Sequence, residues 1–344
     1  MKRTNLSAVA VWIAAFVLLL FSSWNALSQT DKNASNQDAE LGQKLYREGR
    51  YFDAVDSLKK AVKLNPNDGN AWYYLGLSWL RADELKNSVK AFEQAIKLQP
   101  NSAAAHSGLA YSLVMRGKLK DGLKESQRAV ALDSNSAEAH FVLGLSYLHT
   151  GAREKALNEA DDAIRLTPDF ADAYLLKSQA LVQFASGAIV QSIEPPEDRA
   201  NRYQEAVSAL EAYLQLGSAS ADKRLWGEQL AALKFHLAMR SKETRAQNNV
   251  YTSKDVTTKV RLIAKPEPEY TAAARSNTVR GTVVLKALFA SDGTVKHIVV
   301  VYGLPHGLTW QSVRAARNIR FEPATLNGRP VSMFIQLEYN FNIF

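Results

Sequence analysis

Residues 72–100 are WYYLGLSWLRADELKNSVKAFEQAIKLQP, a stretch whose pattern recurs through most of the first half of the chain. Its second half carries apolar residues at Phe92, Ala95 and Ile96, as Leu58, Ala61 and Val62 do upstream. That i, i+3, i+4 spacing is a helix burying one stripe. Gly76 and Ala95 are small enough to let two helix axes approach closely, and Pro100 ends the second helix. The stretch also repeats. Pro66, Pro100 and Pro168 lie 34 and 68 residues apart, with Ser134 in the missing place. Leu41-Gly42, Leu75-Gly76, Leu109-Ala110 and Leu143-Gly144 fall in the same register. So do Ala54, Ser88, Gly122 and Ala156, and then Ala61, Ala95, Ala129 and Ala163. A period of this length predicts stacked helical hairpins, each burying its face on the next. Trp72, His106 and His140 open successive units, so the two histidines are expected to pack between helices as Trp72 does.

The pattern resembles the tetratricopeptide repeat: Trp-x2-Leu-Gly-x2-Tyr, then Ala, Phe, Ala and Pro. Trp72, Leu75, Gly76, Trp79, Phe92, Ala95 and Pro100 make the fullest match. About five units and a capping helix are expected over residues 35–240. The fifth unit starts at Ala171 with Tyr174, Leu175 and Leu181. Its second helix, marked by Ala206, Leu210 and Tyr213, comes 16 residues late. The inserted stretch Ser186 to Asn201 reads as a surface loop. Leu225, Trp226, Leu230, Leu233 and Leu237 mark the last helix. By the family's register, the concave face holds Tyr73, Leu77, Tyr111, Met115, Phe141 and Leu145, with Tyr46 and His149 beside them. The resemblance implies a groove for a partner peptide. The alternative is that several of these residues pack against the neighbouring unit.

Composition supports a folded protein: 344 residues, 47% hydrophobic and 22% charged. The absence of Cys excludes disulfides, thiol nucleophiles and Cys-ligated metals. At the N-terminus, Lys2 and Arg3 precede the apolar run Ala8 to Phe21, and the small residues Ala26 and Ser28 follow. Residues 1–28 therefore read as a secretory signal peptide, cleaved after Ser28 or retained as an inner-membrane anchor. A periplasmic location is expected either way.

The chain changes character after residue 240. Ser241 to Thr257 is polar and without period, and reads as a linker over residues 241–257 that reaches roughly 20–25 Å as a coil. Residues 258–344 read as a small α+β domain with an antiparallel sheet, in the order strand, short helix, two strands, helix, strand. Thr282 to Ala290 and Thr294 to Tyr302 flank Asp292-Gly293, a hairpin signal. Leu308 to Asn318 is helical. Asn327-Gly328 makes a second turn, and Val331 to Phe341 is the final strand. The whole chain is thus multidomain, an all-α solenoid followed by this α+β domain.

These residues closely resemble the C-terminal domain of the TonB energy-transducer family. The matches run colinearly from Pro266-Glu267-Pro268-Glu269-Tyr270 through Ala273-Ala274-Arg275 and Gly281-Thr282-Val283. They continue through Leu304-Pro305-His306-Gly307-Leu308, Phe321-Glu322-Pro323-Ala324 and Asn327-Gly328-Arg329-Pro330-Val331. Thr271 departs from the family, which usually has Pro there. The resemblance implies binding of a peptide from TonB-dependent outer-membrane transporters. The peptide would add as a strand along the edge at Val331, Met333, Ile335, Gln336 and Glu338. It also implies an inner-membrane proton-driven motor as a second partner. No Pro-rich rod spans the periplasm here, so the alternative function is a passive periplasmic scaffold or peptidoglycan-binding protein without energy transduction.

Residues 255–344 hold four Lys and seven Arg against two Asp and four Glu, so +5 of the net +8 sits there. A basic sheet domain suits an acidic peptide, peptidoglycan or an anionic surface. Export and a nearly neutral repeat region argue against nucleic acid. No His-Glu-x-x-His, Gly-x-Ser-x-Gly or phosphate-binding Gly loop is present. The chain is read as non-enzymatic, with no catalytic, cofactor or metal residues. Asp161-Asp162 reads as a solvated helix face.

Overall fold

The computed structural model describes residues 32–186, 196–217 and 223–342. The expected export segment, residues 1–28, lies outside the described residues. Among the described residues, no helix is long and apolar enough to cross a membrane. The chain divides into two compact units, residues 1–108 and 109–344.

The first unit is built of antiparallel helices: α1 over residues 32–47, α2 (Tyr51–Leu64), α3 (Gly69–Arg81) and α4 (Leu85–Leu98). A fifth helix, α5 (Ala103–Met115), runs across the division. The small residues are where the helices meet. Phe92 is fully buried. A Cβ on Gly76 would come within 2.8 Å of its ring, and one on Gly108 within 2.4 Å. The hydroxyl of Ser88 donates to the Gly76 carbonyl at 2.9 Å. Ala54, Ala61 and Ala95 are wholly inaccessible.

The second unit continues with α6 (Leu119–Leu132), α7 (Ala137–Thr150), α8 (Arg153–Leu166), α9 (Ala171–Ala185), α10 (Pro196–Leu216) and α11 (Lys223–Ala238). The late helix of the fifth hairpin is α10, whose Ala206 and Leu210 are buried. It starts at Pro196, inside the stretch expected to be a loop. Proline suits a first helical turn, where no N–H is needed. Residues 187–195 of that stretch lie outside the described residues.

The 34-residue period extends to the turns. Asp68, Ser102 and Ser136 each accept a hydrogen bond from the backbone N–H three residues on, a cap worth roughly 1 kcal/mol. Six residues after each turn residue, a ring donates back to that residue's carbonyl. Trp72 Nε1 donates to Pro66 at 2.9 Å and His106 Nε2 to Pro100 at 3.1 Å. In the second unit, His140 Nε2 donates to Ser134 at 3.1 Å and the Tyr174 hydroxyl to Pro168 at 3.0 Å. The position selects a flat donor, which Trp, His and Tyr all supply. His106 and His140 are buried.

Beyond α11 the expected linker is structured. Residues 242–247 form α12 (Lys242–Gln247), and β1 (Val250–Tyr251) pairs in parallel with the last strand. Val250 is buried between Met239 and Leu288, so one apolar residue fixes a segment whose composition reads as coil. The domain then runs β2 (Arg261–Ala264), α13 (Ala272–Ser276), β3 (Gly281–Phe289), β4 (Val295–Tyr302), α14 (Leu308–Arg317), β5 (Arg320–Glu322), β6 (Ala324–Leu326) and β7 (Arg329–Phe341). The main sheet has the order β1-β7-β3-β4, with β6 also on β7, and β2 pairs with β5. Antiparallel pairing of β3 and β7 extends unbroken from Gly281 opposite Phe341 to Phe289 opposite Met333. Asn327 and Gly328 both take positive φ, the conformation a tight β6–β7 hairpin requires.

Helices pack on both faces of the sheet. Val283, Leu285, Ala287 and Phe289 pack with Val313 and Ala316 of α14. On the other face, Val299 of β4 packs with Leu181 and Val182 of α9 and Leu233 of α11. Trp226 of α11 meets Trp310 of α14 edge to face at 5.4 Å. The sheet domain is therefore held against the last helices of its unit.

Candidate functional site

A sheet offers partners its edges, and here the two edges differ. The β4 edge is closed by α11. Gln229 Nε2 donates to the carbonyl of Ile298 at 2.9 Å, and its Oε1 accepts the N–H of Val300 at 2.8 Å. One turn pair further on, His236 Nε2 donates to the carbonyl of His297 at 2.9 Å. Burial pushes His236 down to about 3, against the opposing pull of that hydrogen bond. His297 takes a positive φ of 46° and stacks on Phe235, ring centroids 3.6 Å apart.

The β7 edge is closed over part of its length. Three bonds settle which groups point away from β3. The Ser332 N–H donates to Asn249, Asn249 Nδ2 donates to the carbonyl of Pro330, and Lys265 Nζ donates to the carbonyl of Glu338. Even-numbered residues of β7 thus aim their backbone groups outward. Ala324–Leu326 covers residues 329–331 and β1 covers Ser332 and Met333. From Phe334 to Asn340, no strand among the described residues lies on that side.

This corrects the expected edge. Val331 and Met333 are buried and lie in the part of β7 that has strands on both sides. The short strands β1 and β6 take the places an incoming peptide would need. Ile335 directs its backbone groups to β3 and packs against the core. Gln336 and Glu338 stay on the open edge, both exposed, with Gln336 Nε2 donating to Glu338 Oε1 at 3.0 Å. The Lys265 ammonium that holds the Glu338 carbonyl also lies over the Tyr339 ring at 4.4 Å.

Residues 266–343 match the C-terminal domain of the Gram-negative bacterial TonB protein, and residues 40–103, 84–137 and 108–169 match the tetratricopeptide repeat. The chain joins tetratricopeptide repeats to a TonB-type C-terminal domain. Both domain types are non-catalytic protein-interaction folds. No curated protein is similar to the chain in sequence. Among solved structures, a thermophilic tetratricopeptide protein of Thermus thermophilus is 21% identical and covers 59% of this chain and 100% of its own, with a TM-score of 0.47. PilW, a type IV pilus biogenesis factor, is 20% identical, covering 62% of this chain and 91% of its own at a TM-score of 0.47. Pseudomonas aeruginosa PilF is 17% identical, covering 63% and 91%, at 0.46.

The expected groove residues of the repeats divide among different roles. In the first unit, Tyr73 and Leu77 of α3 are half-buried, and the Tyr73 ring lies 5.9 Å from that of Phe92. In the second, Leu145 belongs to the buried cluster around Leu148 and Leu176, with Tyr111 and Phe141 against it. Phe141 also meets Phe170 edge to face at 5.3 Å. Met115 and His149 line a cavity of about 350 Å³ whose far wall is the TonB-type domain, from Val300 to Gly307. The Tyr302 hydroxyl donates to the His149 carbonyl at 3.3 Å, and burial pushes His149 down to about 4.

Glu159, Asp161 and Asp162 of α8 are engaged by neighbouring side chains. His140 places Nδ1 2.6 Å from Glu159 while Nε2 holds Ser134, so both ring nitrogens are engaged. Asp161 pairs with Lys177 and Asp162 with Arg165 on exposed helix surface.

Gln229 and His236 were invisible as functional residues in the sequence. With Ala232 and Leu233 they form the buried i, i+3, i+4, i+7 stripe of α11. Polar residues inside such a stripe are the signal that a helix faces backbone rather than side chains.

Proposed function

We propose that the protein is a non-enzymatic adaptor of the cell envelope. Its TonB-type domain takes a peptide from an outer-membrane transporter as an added strand. The repeats present that domain and dock further protein partners. The observation that carries this reading is the open stretch of β7 from Phe334 to Asn340, where outward N–H and C=O groups face no strand among the described residues. Main-chain pairing at such an edge supplies affinity without demanding particular side chains. Coupling to an inner-membrane motor and a periplasmic location belong to the same proposal.

Calorimetric titration of the full chain with a candidate transporter peptide tests it. Gln336→Pro removes one outward N–H and leaves the β3 ladder intact. Affinity is expected to fall about tenfold or more, from a lost bond of roughly 0.5–1.5 kcal/mol and the clash of the ring. Unchanged affinity in a variant that melts cooperatively would overturn strand addition.

A second reading, the passive scaffold, has one observation in its favour: α9 and α11 grip the second face of the sheet and its β4 edge. A domain so held is suited to fixed presentation. Retention in the membrane after expression supports energy coupling, and a processed soluble chain starting at Gln29 supports the scaffold.

A further inference from the structure

A cleft of about 1100 Å³ lies where β1 stops and the open part of β7 starts. Phe334 of β7 and Met239, just past the end of α11, line it. So do Arg240, Arg245 of α12, Lys286 of β3, Thr252 and Ser253. None of the described residues lining it is acidic. The Arg245 guanidinium is fixed in place, donating to the carbonyls of Met239 at 3.3 Å and Arg240 at 2.7 Å. Lys286 is half-buried, with its ammonium 5.8 Å from the Phe334 ring centre. Outside the lining, Asp255 accepts from the N–H and hydroxyl of Thr252 and, like Glu243, offsets Arg245 in part.

Three cations lining one recess attract carboxylates more strongly than the same cations spread over a surface. The position of the recess matters as much as its charge. β1 pairs with Ser332 and Met333, and the chain then turns away at Thr252. A strand laid on Phe334 to Asn340 has one of its ends at the cleft. Whatever follows that end of the partner meets Arg240, Arg245 and Lys286.

We propose that the cleft reads acidic side chains flanking the partner's strand, so that the turn after α11 contributes Arg240 and α12 contributes Arg245 to recognition by the TonB-type domain. This rests on strand addition at β7 and adds to it the chemistry of the partner: a β-prone segment with Asp or Glu residues just beyond one end. The cations come from the turn after α11, from α12 and from β3, the first two outside the matched TonB region.

The test titrates the full chain at low salt with three synthetic peptides sharing one Thr/Val/Ile strand. One carries Asp-Asp at its N-terminal end, one carries Asp-Asp at its C-terminal end, and one carries Asn-Asn at both. One of the two acidic peptides is expected to bind about tenfold more tightly than the Asn peptide, and which one it is reports the strand's direction. That gain should disappear in the double variant Arg240→Gln/Lys286→Gln, with the affinity for the Asn peptide unchanged. Arg240→Gln alone, at an exposed position, should remove part of the gain without affecting the fold. Equal affinity for all three peptides overturns the proposal, as does a gain that survives the double variant. Binding of none of the three overturns strand addition and this inference together. An acidic gain that needs Arg240 and Lys286 but survives Gln336→Pro keeps the cleft and overturns strand addition alone.

Discussion

The Gln229 side chain is joined to the β4 backbone as a neighbouring strand would be, giving an N–H to Ile298 and taking one from Val300. A helix thereby closes a sheet edge with one amide. Replacing it with Leu keeps the volume and leaves both backbone groups buried without that partner. Each such group costs about 1–3 kcal/mol. Gln229→Leu is expected to lower the melting temperature and to speed amide exchange at Val300 selectively. Exchange at Val300 as slow as in the parent protein would show that the clasp is not what protects this edge.

Phe92 is pinched between Gly76 and Gly108, both nearer to its ring than a Cβ allows. Gly76→Leu should destabilise the protein by about 1–3 kcal/mol through overpacking. Phe92→Leu in the same chain should restore part of the loss, because the aromatic ring is what the new side chain strikes. Denaturant melts of the two variants and the pair decide it, and additive losses would contradict the contact.

Acid should loosen the sheet domain from its helices. His149 and His236 both sit between them, and burial lowers them from 6.5 to about 4 and about 3. Lys286 and His297 push His236 further down. The unfolded chain therefore binds protons that the folded chain refuses. Stability from these two sites is complete above about pH 6.5 and falls as pH drops toward 4 and then 3. Melting temperature measured across this range should drop less steeply in His236→Gln, which removes one of the two titrations.

Lys265 guards the open edge by occupying the carbonyl of Glu338, a recognised way of blunting strand edges. Lys265→Met frees that acceptor. The variant is expected to bind strand-forming peptides a few-fold more tightly and to self-associate at high concentration. Calorimetry and sedimentation measure the two effects, and a weaker peptide affinity would mean that Lys265 contacts the partner instead of excluding it.

The repeats were legible because their signals are local and recur. Small residues, turn caps and the ring at Trp72, His106, His140 and Tyr174 all obey one period, so each unit corroborates the others. The order of the main TonB-type elements was legible for the same reason: two turns with Gly and long apolar strands. The short strands β1, β5 and β6 were not, since two or three residues carry no period. Docking of the sheet was hidden in plain view. Val283 to Leu285, Ala287 to Phe289 and Ile298 to Val301 are apolar runs, not alternations, and strands of that kind are covered on both faces. Of the site, Gln336 and Glu338 were legible as edge residues. Val331 and Met333 were misplaced because their partners come from segments that read as coil and turn.

The clasp between α11 and β4 has a mechanical consequence. A chain tugged along the axis of β7 loads its ladder with β3 in shear, all nine residue pairs sharing the tension from Gly281 to Phe289. The force then crosses to β4 and leaves through Gln229 and His236 into a helix. Traction perpendicular to β7 would instead peel the pairs apart one after another. The direction of pull, set by how the last helices are oriented toward whatever holds them, decides whether this sheet resists a force or yields to it.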